Sequence, residues 1–259
     1  FILISAGHIW KFITLAYIPP TIAGIVLAYR GKLLAGGILT ALFIALQIMS
    51  NHVQMSYYFL FVILFIVGAY FEDAWRNKTL PKFFKASAVV FVAALIGVAA
   101  NLSNLYHTYT YSKETMRGKS ELVETGDAAK QTSSGLDRDY ITNWSYGIGE
   151  TWTLLVPNFK GGSSSAPLSQ SETAMEKANP VYSSLYNSFP QYFGDQPWTA
   201  GPVYVGSFVL FLFVLGCFIV KGPLKWALLG ATFFSIVLAW GKNFMPLTDF
   251  FIDYIPMYN

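Results

Sequence analysis

The sequence predicts an all-α protein, a polytopic transmembrane helical bundle of about six spans with a long extracytoplasmic loop. Three observations predict it. Six apolar runs, at 12–29, 32–49, 54–71, 86–107, 202–220 and 226–241, lie near the ~17–25 residues a helix needs to cross about 30 Å of hydrocarbon. Composition agrees: 54% of residues are hydrophobic and 12% charged, the profile of a membrane chain rather than a soluble core. The ~10-residue alternating segments of a β-barrel, the other way to satisfy backbone groups in lipid, are absent. The layout follows as helices one to four in 1–107, an extracytoplasmic loop in 108–200, and helices five and six with an outer tail in 201–259.

In the first run Pro19 and Pro20 remove two backbone donors, so a kink is expected there. Gly24 in that run and Gly36 and Gly37 in the second allow close backbone approach between helices. The short turns decide orientation. Arg30 and Lys32, then Arg76, Lys78, Lys82 and Lys85, then Lys221 and Lys225 all fall on one side. The positive-inside rule makes that side cytoplasmic and largely exempts a loop as long as 108–200. The N-terminus, the 50–53 turn, the long loop and the tail are therefore expected outside.

Within the long loop, 112–138 is polar and 161–173 reads as flexible coil, while the aromatic stretches beside them predict short interfacial helices. One is expected over 144–155, ending before Val156-Pro157, and a second over 180–190. Trp198, Tyr204 and Trp226 suit an interfacial aromatic belt. The start at Phe1 without Met and the stop at Asn259 lead us to expect an internal piece of a longer protein.

Several classes are excluded or left without grounds. A net charge of +3, with cations beside the apolar runs, does not describe a nucleic-acid surface. Cys217 is the single cysteine and lies in an apolar run, so there is no disulfide framework or thiolate metal site. No nucleotide-binding glycine loop, HExxH or GxSxG pattern occurs. Three scattered histidines give little basis for a metal site, and a divalent cation is the only cofactor left open.

The residues that could carry chemistry sit at the outer ends of the runs. His8 and Lys11 precede the first helix, where an ammonium and an imidazole suit a phosphate-bearing lipid, although a snorkelling anchor is an equal reading for Lys11. Asn51, His52 and Gln54 form a tight outer turn, followed by Tyr57 and Tyr58, with more hydrogen-bonding groups than capping requires. Glu150 and Asp195 are acids among aromatic residues, an arrangement that binds sugars by ring stacking and hydroxyl hydrogen bonds, or that simply packs down as a loop. Their separation, which a hydrolase pair must fix, is not readable from sequence. Asn101, Asn104 and His107 close the fourth run near the same face, and Asp249 and Asp253 share a face of any short helix, read as solvated.

Taken in order, Gly7-His8 with Lys11, Asn51-His52 with Gln54 and Tyr57-Tyr58, Glu150 with Pro157-Asn158-Phe159 and Gly161-Gly162, Tyr192 with Gly194-Asp195, Gly201-Pro202 with Tyr204, and Pro256 with Tyr258-Asn259 resemble the YfhO family of bacterial membrane proteins. The resemblance spans nearly all of the chain and is closest to the long form seen in Bacteroidetes. It implies a GT-C-like glycosyltransferase that takes a sugar from a polyprenyl-phosphate donor to an envelope glycan acceptor outside the membrane. The partners implied are that donor, membrane lipid and the acceptor, with no nucleic acid. His8, Lys11, Asn51, His52, Gln54, Glu150, Asn158 and Asp195 are then the expected substrate-binding residues. The base of GT-C enzymes typically lies in a first outer loop that is not found here, so the catalytic residue is unassigned. A transporter or flippase of a lipid-linked glycan is the alternative, as is a non-catalytic scaffold. Ion-coupled transport is disfavoured because the runs carry their ionisable residues at the ends.

Overall fold

The computed structural model describes residues 8–112, 114, 138–199, 204–256 and 258. The expected polar stretch 112–138 falls mostly outside the described residues, as do Gly7, Gly201, Pro202 and Asn259 of the motif string. Helix accounts for 74% of the structure, and no strand occurs among the described residues, so the protein is all-α. Two isolated bridges, Gly161 to Tyr192 and Pro167 to Pro190, are the β-type contacts among them.

Three segments are long and apolar enough to cross a membrane: Ile9–Tyr29, Val53–Arg76 and Leu80–Ala99. A fourth exists if Pro223–Ala239 and Gly241–Tyr254, bent by 109°, are taken as one broken span. Leu33–Met49 and Ser207–Ile219 are apolar but shorter, at 17 and 13 residues. At 1.5 Å per residue they reach roughly 25 and 20 Å, against about 30 Å of hydrocarbon.

The first apolar run is two helices, α1 (Ile9–Ala16) and α2 (Ile18–Tyr29), which meet at Tyr17. The break falls just ahead of Pro19 and Pro20, which puts both prolines in the first turn of α2, where backbone N–H groups lack intrahelical partners anyway. Then come α3 (Leu33–Met49), α4 (Val53–Arg76), α5 (Leu80–Ala99) and α6 (Leu102–Ser112). The fourth run, expected as one helix over 86–107, is therefore divided between α5 and α6. Pro81 in the first turn lets α5 begin earlier. Its end is held by Asn101, whose amide donates to the Gly97 carbonyl at 3.2 Å and to Ala45 of α3 at 2.9 Å. Lys82 and Lys85, expected in a loop, lie in α5.

The loop region carries α7 (Arg138–Thr142), a 3-10 helix at Ile148–Leu154, α8 (Glu172–Lys177) and α9 (Ser183–Tyr186). The interfacial helix expected over 144–155 is thus the shorter, tighter 3-10 form, and it does end before Val156-Pro157. The one expected over 180–190 is a 3-10 turn, Pro180–Tyr182, running into α9. Coil was expected over 161–173, but a 3-10 turn at Leu168–Gln170 and the start of α8 fall there. The chain closes with α10 (Ser207–Ile219), α11 (Pro223–Ala239) and α12 (Met245–Tyr254).

The chain divides into two compact units. Unit 1 comprises Phe1–Gly118 and Lys221–Thr232, and its core is built on Ile25, Ala28, Ile66, Val90 and Ala227. Helices α2, α3 and α5 pack tightly because glycines stand where they cross. A Cβ on Gly36 would come within 2.5 Å of the Ala28 backbone nitrogen, and one on Gly97 within 2.9 Å of the Ala41 carbonyl. The two ends of unit 1 differ chemically. At one, Arg30 lies against Tyr70, and a pocket of about 550 Å³ is lined by Glu72, Asp73, Arg76 and Trp226. The other is where α3 ends and α4 begins. Unit 2 comprises Lys119–Val220 and Phe233–Asn259.

Candidate functional site

In unit 1 the candidate site is built on the turn from α3 to α4. Ser50 caps α3, Asn51 takes the left-handed conformation with φ of 55°, and His52 starts α4. Asparagine is among the residues that tolerate this conformation, and its side-chain oxygen accepts from the Asn104 amide at 3.3 Å, so Asn51 has a structural task. Below the turn lies a polar layer. Thr14 of α1 and Ser50 share a hydrogen bond of 2.5 Å, and their hydroxyls also reach the carbonyls of Trp10 and Gln47 at 2.9 and 2.5 Å.

Three side-chain atoms at this end have no hydrogen-bond partner among the described residues: Nε2 of Gln47, Nδ1 of His52 and Oγ of Ser56. Gln47 is only 2% exposed. His52 and Ser56 are four apart at the start of α4 and share a face. Burial, and then the nearby Lys11 cation with a smaller effect from His8, pushes the His52 imidazole below its usual range, so it is neutral at pH 7. The structure thus brings His8, Lys11 and His52 into electrostatic contact, as the sequence expects of one site. His8 is exposed, Lys11 is half-buried, and Gln54 lies exposed on the first turn of α4. The buried amide is instead Gln47, a residue passed over because it sits inside an apolar run.

Unit 2 holds the two acids. Glu150 is 1% exposed, in the first turn of the 3-10 helix. The Gly147 N–H donates to its carboxylate at 2.6 Å, and the Tyr192 hydroxyl donates to the other oxygen. Tyr192 is buried too, and its oxygen accepts from the Gln196 N–H at 3.1 Å. Burial first, and then the bond to Glu150, pushes the Tyr192 hydroxyl well above its usual range, so it remains a donor. Tyr146 is raised by burial and by the same carboxylate.

Asp195 is exposed, and the Asn243 amide reaches it at 3.4 Å while also donating to the Tyr146 carbonyl at 2.7 Å. Both acids flank Gly147, where a Cβ would stand 2.8 Å from Asp195 Oδ2 and 3.2 Å from Glu150 Oε2. Glycine is what lets them approach. Glu150 is enclosed by protein donors, whereas Asp195 is open to a ligand. Asn158 is exposed in a left-handed turn, φ 56°, whose carbonyl accepts from the Gly161 N–H at 2.8 Å.

Tyr192, which bonds Glu150, and Asn243, which reaches Asp195, were not among the expected site residues, because each comes from a segment distant in sequence. Asp249 and Asp253 do share a face, of α12, but it is not simply solvated: Arg138 forks to Asp249 at 2.6 Å and to Asp253. Among the described residues, no group of three or more His, Cys, Asp or Glu stands together as metal ligands. Comparison with protein families, with curated proteins and with solved structures finds no match.

Proposed function

We propose that the chain is part of an integral membrane glycosyltransferase of GT-C type, which moves a sugar from a polyprenyl-phosphate donor to an extracytoplasmic glycan acceptor. The observation that carries this reading is the grouping of Lys11, His8 and His52 over a buried polar layer, at the end of unit 1 away from the Arg30 and Arg76 turns. The motif resemblance to the YfhO family supports it. In this reading the chain crosses the bacterial inner membrane six times, with α3 and α10 spanning locally thinned bilayer. The arginine- and lysine-bearing turns face the cytoplasm, and the His52 turn and the 108–200 segment face outward.

The leaving group is then a lipid phosphate. Lys11 stabilises the charge that develops on it as the glycosidic bond breaks, with His8 and His52 beside it. The acceptor hydroxyl needs a base. That base is unassigned; of the two expected acids, Asp195 is the one open to a ligand, while Glu150 fixes Tyr192 and the Gly147 turn.

The test follows transfer of radiolabelled sugar from polyprenyl-phosphate donors by the full-length protein in membrane vesicles. Lys11→Ala and His52→Ala are each expected to cut transfer at least about tenfold, a step of ~1.4 kcal/mol in barrier, with folded protein levels unchanged. Absence of transfer from every donor, with donor lipid moved between leaflets instead, overturns the reading in favour of a flippase.

A further inference from the structure

A groove of about 750 Å³ runs along unit 1 between α3 and α5. Small residues set its floor: Gly37 and Ala93 are buried, and a Cβ on Gly37 would stand 2.9 Å from Val89 Cγ1. Its rim is large and apolar, with Leu34, Ile38, Val92 and Ile96 all exposed. The lining runs from Leu33 to Ala41 on α3 and from Ala88 to Ile96 on α5. Either stretch covers about 12 Å at 1.5 Å per residue. That is close to one leaflet's half of a hydrocarbon core about 30 Å thick.

The two helices run parallel, since Gly37 lies against Val89 and, further along both, the Ala45 carbonyl accepts from Asn101. One turn before Val89 stands Lys85, and a turn before that Lys82, on the face of α5 that carries Val89 and Val92. Helix α3 starts at the same end, with Lys32 as its N-cap residue. The groove thus ends among three exposed lysines, none of which makes an ion pair among the described residues. The acids of that end are engaged elsewhere: Glu72 pairs with Arg76, and Glu72 and Asp73 line the separate pocket beside Trp226. Snorkelling accounts for any one lysine at a helix end. Three at the mouth of one apolar groove put a headgroup site next to a chain site.

We propose that this groove holds an anionic glycerophospholipid, with an acyl chain against Gly37, Ala41 and Ala88 and the headgroup among Lys32, Lys82 and Lys85. Charge complementarity selects an anionic lipid over a zwitterionic one. The groove's length selects a lipid of one leaflet over a polyprenyl chain, which outruns it. A further helix or a second copy of the chain would cover the apolar lining and leave the lysines without a countercharge. In the orientation proposed above these lysines are cytoplasmic, so the lipid belongs to the inner leaflet, at the opposite end of α3 from the His52 turn. The inference goes beyond the glycosyltransferase reading and takes from it only the identity of that leaflet.

The experiment is native mass spectrometry of the full-length protein released from detergent, with phosphatidylglycerol, phosphatidylcholine or a polyprenyl phosphate added at equal concentration. Phosphatidylglycerol is expected to be retained at least about tenfold more than phosphatidylcholine. Lys82→Gln combined with Lys85→Gln should abolish that preference. Lys221→Gln combined with Lys225→Gln removes as much charge from the same end, beside α11 and off the groove, and should preserve it. Ala88→Phe fills the groove from an exposed position and should strip both phospholipids. Val92→Phe, exposed as well, repeats that test should Ala88→Phe fail to fold. Equal retention of the two phospholipids, equal loss in the two double variants, or indifference to both phenylalanines overturns the proposal. Stronger retention of the polyprenyl phosphate also overturns it and gives the groove to the donor; a dimer that Ala88→Phe disperses gives it to a second copy. Sugar transfer that fails while this retention persists sinks the glycosyltransferase reading alone.

Discussion

Two buried polar clusters, one in each unit, differ in how completely the protein satisfies them. In unit 2 the Glu150 carboxylate takes a backbone N–H on one oxygen and the Tyr192 hydroxyl on the other, and Tyr192 in turn accepts from Gln196. In unit 1, Gln47, His52 and Ser56 each keep a buried atom without a partner among the described residues. A satisfied network rigidifies what surrounds it, and an unsatisfied one is costly until something fills it. By that criterion Glu150, expected from the sequence to contact substrate, is built into the structure instead. The amide inside an apolar helix is the better candidate for touching a ligand.

The largest expected effect breaks the satisfied side. Glu150→Ala leaves the Tyr192 hydroxyl and the Gly147 N–H buried without an acceptor, and is expected to destabilise unit 2 by on the order of 3 kcal/mol. Glu150→Gln, which keeps an acceptor oxygen for one of them, should lose about half as much. Protease protection of the 138–199 segment in detergent reads both. Equal and negligible effects of the two would mean that the enclosure of Glu150 does not hold the loop together.

The same logic inverts the sign in unit 1. Gln47→Leu removes an amide with an unused donor and fills its place with an apolar side chain of similar size, so the unliganded protein should gain up to about 1 kcal/mol or stay unchanged. Thermal unfolding in detergent checks this. A loss of 2 kcal/mol or more would place Gln47 in a network of its own and remove the contrast between the two clusters.

How much of this was legible in the sequence follows from the range of each interaction. Hydropathy runs located the long apolar helices because the signal is summed over twenty residues, and Pro157 marked the end of the 3-10 helix because proline acts on its immediate neighbour. The division at Tyr17 falls just ahead of Pro19 and Pro20, where a kink was expected, whereas that at Ala100 was missed, since apolar residues continue past it and the deciding contact of Asn101 is to Ala45, far away in sequence. His8, Lys11 and His52 were recognisable by residue type at helix ends. Tyr192 meets Glu150 across 42 residues and Arg138 meets α12 across more than a hundred, so residue type alone gave no sign of either. Gln47 was hidden for another reason: a single amide in an apolar run reads as tolerated polarity until its burial is known.

An intermediate case sharpens the comparison at the surface. Arg138 bridges Asp249 and Asp253 with all three side chains roughly 40% exposed or more. Pairs that exposed contribute about 0–1 kcal/mol. Arg138→Ala should therefore shift thermal unfolding only slightly, and less in high salt, where the pairs are already screened. A loss comparable to that of Glu150→Ala would show that exposed charge, and not burial, governs the cohesion of unit 2.

The smallest effect is the pH dependence of unit 1. Because burial and Lys11 hold the His52 imidazole below its unfolded value of about 6.5, the unfolded chain binds the proton more readily than the folded one. Stability from this group is complete above about pH 6.5 and is lost as pH falls through the lower folded value. His52→Gln should flatten that acid limb without changing stability at pH 8. Unfolding curves between pH 5 and 8 of the protein and of His52→Gln measure both slopes. An acid limb unchanged in His52→Gln would mean that this imidazole does not set it, and a limb that flattens would place the proton there.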